Sequence, residues 1–307
     1  MSYASAALVA AESILALTPI AIKKTPLDPV SAIWSRILSS AVLGYLLTGD
    51  GVLPRAEWGT ATALGATNLV HIASSYEAFR HLPAGQAMSL LYTYPLWNLM
   101  FMGTFGGESI APRNYLFMGI ATIGAFLLNM DPGIAAPTAL IKTPNPPWGV
   151  FMGLLMAMSE STMVVLLKLV GWRDPAKSVF VVNAGSSVWL AALLVLKQIV
   201  DPSTVTSASM MSVRTGTPWD VFLLTAFHAV TLFSGYWLRY YAVPRLSTVS
   251  YAILSYAGLI ASYLFGILFV KETPGWISII GAAIIVLSGL ALQLSKNSDE
   301  RKKEEDR

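Results

Sequence analysis

The chain contains no cysteine and carries little charge. The first absence excludes disulfides, thiolate metal sites and thiol nucleophiles. The second is broader: only 12% of residues are Asp, Glu, Lys or Arg, against roughly 25% in soluble domains. No His-Glu-x-x-His stretch and no glycine-rich phosphate loop occurs, so an enzyme working through a metal or a nucleotide has no motif to stand on. No catalytic residue, metal site or cofactor is expected. No basic start precedes the first apolar run, and Glu12 interrupts that run, so no cleavable leader is expected. The net charge of +3 is scattered over loops and points to no nucleic acid.

Apolar residues make up 55% of the 307, and the mean hydropathy is +0.60. Runs of about 20 apolar residues, the length that crosses ~30 Å of hydrocarbon, recur along the chain. Spans are expected over 4–22, 28–48, 58–79, 84–104 and 115–130, then over 148–170, 178–196, 219–241, 247–270 and 276–294. The fold class is therefore all-α integral membrane. The 17 prolines and 23 glycines suit it, because buried transmembrane helices tolerate both. Trp58, Trp148, Trp219 and Trp276 each open a span, where an indole favours the membrane interface.

A repeat organises these spans. Displaced by 164 positions without a gap, Tyr76, Ala78, Leu82, Leu90, Tyr92, Phe101, Phe105 and Glu108 fall on Tyr240, Ala242, Leu246, Leu254, Tyr256, Phe265, Phe269 and Glu272. Asp28-Pro29 and Asp174-Pro175 open the second helix of each half in the same way, an acidic cap followed by proline at the first helical position. Residues 1–133 then form a first five-helix repeat, 134–147 a Pro- and Thr-containing linker, 148–295 a second repeat and 296–307 a charged tail. Five spans is an odd number, so the second half enters the membrane from the opposite side. Ten transmembrane helices as two inverted five-helix repeats is the arrangement of many secondary transporters, with a midplane site between the halves.

The chemistry belongs to polar groups that cannot reach water. A charge at the bilayer centre costs about 2.5–3.5 kcal/mol on insertion scales, which makes each one a candidate. Glu12 and Glu160 both precede a serine on the first helix of their half. Carboxylates at matching depths suit proton coupling or cation binding; the alternative is a pair of structural carboxyls held by hydroxyls. Arg36 lies about 10 Å into the second helix and could neutralise Glu12, hold a substrate anion or snorkel. His71 and His228 lie mid-helix, where substrate, proton and interhelical hydrogen bonding are all open. Tyr92 and Asn98 on the fourth helix and Tyr256 on the ninth offer aromatic and polar lining. Lys168 and Arg239, within two turns of a helix end, are weaker candidates because snorkelling is the default there. Glu108 and Glu272 are expected to cap their helices. Gly119, Ala121, Thr122, Gly124 and Ala125 make the fifth helix close-packing, with a homodimer face as one use.

Tyr76-x-Ala78-Phe79-x-x-Leu82-Pro83-Ala84-Gly85-x-Ala87, followed by Pro95 and Gly107-Glu108, resembles the helix-three-to-four signature of the drug/metabolite transporter superfamily, and within it the EamA-like ten-helix members. The resemblance runs over both halves, from about residue 5 to 294. The second half departs from it: Pro244-Arg245-Leu246-Ser247-Thr248 replaces the hinge and Leu259 stands where proline is expected. The resemblance implies a carrier in the lipid bilayer, with its cavity lined by helices one to four and six to nine, and with both termini cytoplasmic. The expected function is secondary active transport of a small polar organic metabolite by alternating access, proton-coupled or by exchange. A phosphosugar or nucleotide-sugar antiporter of the same superfamily is the second reading. Lys168 is similar in place to a lysine of triose-phosphate carriers, but their basic pair on helix nine is replaced here by Ser255-Tyr256. A membrane-embedded enzyme comes last.

Overall fold

The computed structural model describes residues 2–48, 57–82, 84–129, 145–200, 217–265, 267–268, 275–277, 279–289 and 291. Helices account for nearly all of them, and no strand occurs among the described residues. The first half contributes α1 (Tyr3–Leu15), α2 (Thr18–Lys24), α3 (Pro29–Leu47), α4 (Trp58–His81), α5 (Ala84–Leu91), α6 (Tyr94–Thr104) and α7 (Pro112–Asn129). The second contributes α8 (Pro146–Val170), α9 (Pro175–Val200), α10 (Pro218–Phe227), a π-helical turn (His228–Leu232), α11 (Phe233–Ala242), α12 (Thr248–Phe265) and α13 (Ile279–Gly289). Residues 134–144 of the expected linker, the loop after α9, Glu272 and the charged tail lie outside the described residues, while 145–147 cap and open α8.

Local chemistry sets these limits. Asp28 caps α3 by accepting from the Ser31 amide at 3.0 Å, with Pro29 at the first helical position. Asn145 caps α8 through the Trp148 amide, and Thr217 and Asp220 form a reciprocal capping box on α10. Gly171 ends α8 in the left-handed region at φ 68, where a side chain would be strained. Trp58, Trp148, Trp219 and Trp276 are all exposed at helix starts.

Six helical stretches among the described residues are long and apolar enough to cross a membrane: Tyr3–Ile22, Pro29–Leu47, Pro146–Val170, Pro175–Val200, Pro218–Arg245 and Thr248–Phe265. They correspond to six of the ten expected spans. The expected third span, α4, has the length but is more polar, with Asn68, His71, Ser74 and Ser75 all buried. A helix enclosed by other helices needs no apolar coat. The expected fourth span is two helices, because Pro95 has no N–H for the Leu91 carbonyl and the chain turns at Tyr92 and Thr93. The first span breaks in the same way at Ala16 and Leu17, ahead of Pro19. In the second half α12 runs unbroken past Leu259, the position matching Pro95.

Packing is reciprocal between the halves. The first helix of the first half, α1, packs on α11 and α12. The first helix of the second, α8, packs on α4, α5 and α6. Between them α3 packs on α9, and Gly124 of α7 seats against Gly281 and Ile284 of α13. Gly124, Ala121, Thr122 and Ala125 of α7 are thus packed inside the molecule, whereas a Cβ on Gly119 would meet open space.

Candidate functional site

Two carboxylates and two guanidiniums converge where α1, α3, α8 and α11 meet. Arg239 of α11 is 6% exposed and reaches both first helices. Its Nη2 donates to Glu12, 2.8 Å from Oε1 and 2.9 Å from Oε2, and its Nη1 donates to Glu160 Oε1. Glu12 is then completed by the Tyr94 hydroxyl, which donates to Oε1 at 3.2 Å. Glu160 is not completed. Its Oε2 is buried with no hydrogen-bond partner and lies 3.4 Å from His71 Nδ1. That nitrogen is 3.1 Å from the Met156 carbonyl. A carbonyl only accepts, so this hydrogen bond requires the proton on Nδ1.

Arg36, 3% exposed, donates to the Tyr236 hydroxyl at 2.7 Å. The Tyr236 ring lies between two guanidiniums, 5.5 Å from Arg36 and 5.4 Å from Arg239. No carboxylate of the described residues makes an ion pair with Arg36. With both arginines and both glutamates ionised the cluster is neutral, which lowers the cost of burying it. Burying an unpaired ion costs several kcal/mol.

A cavity of about 50 Å³ opens beside this cluster. Glu160, Arg239, Arg36 and His71 form its polar end. Its apolar wall comes from the two broken helices, including Leu15 and Pro19 beside the first break and Leu91 and Tyr92 beside the second. Ile22 and Phe79 carry it toward the face where α4 ends and α8 begins. On the opposite face the helices are tied together. Lys168 at the end of α8 pairs with Glu108 at 2.8 Å, and Tyr3 packs edge-on against Tyr241 with centroids 6.0 Å apart. The break in each helix turns backbone and side chains toward one space, as discontinuous transmembrane helices do in carriers. A π turn just before α11 adds a residue to that helix and re-aims the face carrying Tyr236 and Arg239.

Of the residues singled out from the sequence, Glu12, Glu160, Arg36, His71, Tyr92 and Arg239 come together here. Arg36 does not snorkel, and Arg239, a weaker candidate, is the centre of the cluster. Asn98 accepts from Ser161 at 2.8 Å on the α6–α8 seam. His228 pairs with Ser35 at 3.1 Å between α3 and the π turn. Tyr256 bonds Thr122 at 3.2 Å and stacks on Tyr92 with centroids 6.4 Å apart. None of these three lines the cavity, nor does Lys168. Tyr236 was not foreseen; its place three residues before Arg239, on the same helical face, is the signal that could have found it. Gly258, which matches Tyr94 in the repeat, lets α12 approach α1. A Cβ there would stand 3.0 Å from the Glu12 carbonyl oxygen and would collide with the Tyr92 hydroxyl.

Helices apolar enough to cross a membrane enclose a charged cluster and a cavity, and the comparisons point to membrane transporters. Residues 2–130 match the EamA-like transporter family. Over 272 residues the chain is 22% identical to the "Pseudopaline exporter CntI" of two Pseudomonas aeruginosa strains, UCBPP-PA14 and PAO1, covering 88% of each chain. A crystal structure superposes with a TM-score of 0.67 at 16% identity over 96% of both chains, a likeness of fold.

Proposed function

We propose that the protein is a secondary carrier that moves a small polar organic metabolite by alternating access, with Glu160 exchanging a proton for substrate. The observation carrying this reading is the open Glu160 Oε2, a buried carboxylate oxygen beside a cavity in a transporter fold. An ion pair used only for packing is expected to satisfy both oxygens, as Glu12 does. Reciprocal packing of α1 and α8, and the stacking of the repeat mates Tyr92 and Tyr256, support ten spans in two inverted repeats. The cavity leads to one face while Lys168–Glu108 and Tyr3–Tyr241 close the other, which fits one of two access states. At about 50 Å³ it is narrow beside the ~300 Å³ and more of common ligand sites, so the α1–α2 and α5–α6 breaks must part to admit cargo. Exporters among the relatives favour efflux against proton entry. The phosphosugar alternative gains no support, since Lys168 is engaged with Glu108 away from the cavity.

The test uses proteoliposomes loaded with a pH-sensitive dye and challenged singly with amino acids, nucleosides, sugar phosphates and nucleotide sugars. A substrate should move protons through the wild type. Glu160→Gln should fold and lose that flux, because glutamine keeps the shape and removes the titration. Flux at the wild-type rate in Glu160→Gln would sink the proton role.

A further inference from the structure

A proton on Glu160 needs a route to it. Arg239 covers Oε1, and Oε2 is shut off from solvent although Glu160 lines the cavity. The group beside Oε2 that carries a proton is His71 Nδ1, 3.4 Å away. We propose that His71 is the relay between cavity and carboxylate: its Nε2 takes a proton from the cavity while its Nδ1 hands one to Glu160 Oε2. This rests on the carrier reading above, in which Glu160 is the proton site.

The ring is placed for both transfers. His71 is buried on α4 and lines the cavity. Its Nδ1–H lies between the Met156 carbonyl at 3.1 Å and Glu160 Oε2 at 3.4 Å, acceptors one turn apart on α8. Nε2 makes no hydrogen bond among the described residues, which leaves it to the cavity as the bare acceptor of a neutral imidazole. The charged groups around the ring are Glu160 of α8, Arg36 of α3 and Arg239 of α11, with Tyr92, Tyr94 and Tyr236 as the other titratable groups of the lining. The hydroxyls of Tyr94 and Tyr236 cannot stand in for the ring, since the first donates to Glu12 and the second accepts from Arg36. In the transfer a water in the cavity loses a proton to Nε2, and the Nδ1–H bond breaks as an Oε2–H bond forms. One proton has moved from cavity to carboxylate, and the ring is neutral before and after, having exchanged its Nδ1–H tautomer for Nε2–H. The new Oε2–H can donate back to the bare Nδ1, and the Met156 carbonyl keeps the Ser159 hydroxyl as a donor at 3.0 Å. The reverse sequence discharges Glu160. The exchange also changes what the cavity presents: Nε2 accepts while Glu160 is ionised and donates once Glu160 is protonated.

The experiment follows protonation of Glu160 by stopped-flow infrared spectroscopy of the purified full chain after a drop in pH. Its carboxyl band is the one that Glu160→Gln removes. His71→Asn, whose amide can still donate to the Met156 carbonyl, should slow the rise of that band about tenfold or more. His71→Ala should be slowed likewise and should recover when imidazole is added. A histidine that only ties α4 to α8 would leave the rate alone and gain nothing from imidazole. The wild type gives a reading that needs no variant: nitrogen NMR of the ring should show the Nδ1–H tautomer while Glu160 is ionised and the Nε2–H tautomer once it is protonated. A wild-type rate in His71→Asn, or a ring that keeps its Nδ1 proton in both states, overturns the relay and leaves Glu160 as the proton site. A Glu160 carboxyl band that never appears discards that site and the relay with it.

Discussion

The fourth and ninth spans expected from the sequence share one residue pattern, yet they do different work. Tyr92 and Tyr256 are repeat mates and stack on each other. Three residues beyond, Pro95 breaks the first helix into α5 and α6, whereas Leu259 lets α12 run straight. Leu91, Tyr92 and Tyr94 beside the break line the cavity; no residue of α12 does. The same contrast separates the first helices: α1 breaks before Pro19, and α8 is continuous over 25 residues. The first half thus supplies a broken wall and the second an unbroken one, with the π turn before α11 as the second half's own irregularity. Charge follows the same division. Glu12 is fully satisfied on the broken side, while Glu160 on the straight helix keeps an open oxygen.

Arg239 joins the two sides, and its removal should be the largest effect. Arg239→Ala leaves two carboxylates in the core without their cation, a loss of about 3–5 kcal/mol for a broken buried pair. We expect a collapse of the melting temperature in detergent. Adding Glu160→Gln to that variant should recover part of it, since one buried carboxylate is removed and Arg36 then balances Glu12 in net charge. A melting temperature unchanged by Arg239→Ala would mean that water, not protein, solvates the cluster.

Next in size is an attempt to make the straight helix resemble the broken one. Leu259 is buried in the middle of α12. Leu259→Pro removes the hydrogen bond to the Ser255 carbonyl and clashes there, at a cost of about 3 kcal/mol. Because α12 packs closely on α1 at Gly258, we expect loss of both stability and transport, read by melting and by proton flux. A stable, active Leu259→Pro protein would show that the two walls are interchangeable.

How much of this the sequence revealed depends on which physics was involved. Glu12, Glu160, Arg36 and His71 were legible because a polar group deep in an apolar run has few reasons to be there. Arg239 was discounted because its distance from a helix end suggested snorkelling. That distance carries no information about the π turn that re-aims its face, or about two carboxylates arriving from other helices. Asn98 and Tyr256, singled out as polar and aromatic lining, and His228, singled out for its place mid-helix, make their hydrogen bonds across helix seams. Depth is a one-dimensional property, and facing is set by packing. The helix breaks were half visible: Pro19 and Pro95 are in plain sight, but proline can also kink a helix without dividing it.

The smallest effect on stability should come from mending the broken wall. In Pro95→Ala the new N–H can donate to the Leu91 carbonyl, allowing α5 and α6 to join as one helix like α12. Proline also restricts the unfolded chain, and losing that costs about 0.4–1 kcal/mol, so gain and loss nearly cancel. The melting temperature should therefore move little. Transport should not behave in the same way. The cavity is too narrow for common ligands as it stands, and the turn at Tyr92 and Thr93 is one of two places where its wall can part. A continuous helix would hold Tyr92 and Tyr94 in one register and stiffen that wall. We expect Pro95→Ala to retain thermal stabilisation by ligand while proton flux falls several-fold, separating the binding of cargo from its passage. Full flux in a variant whose helix has demonstrably joined would place the moving part at the α1–α2 break alone.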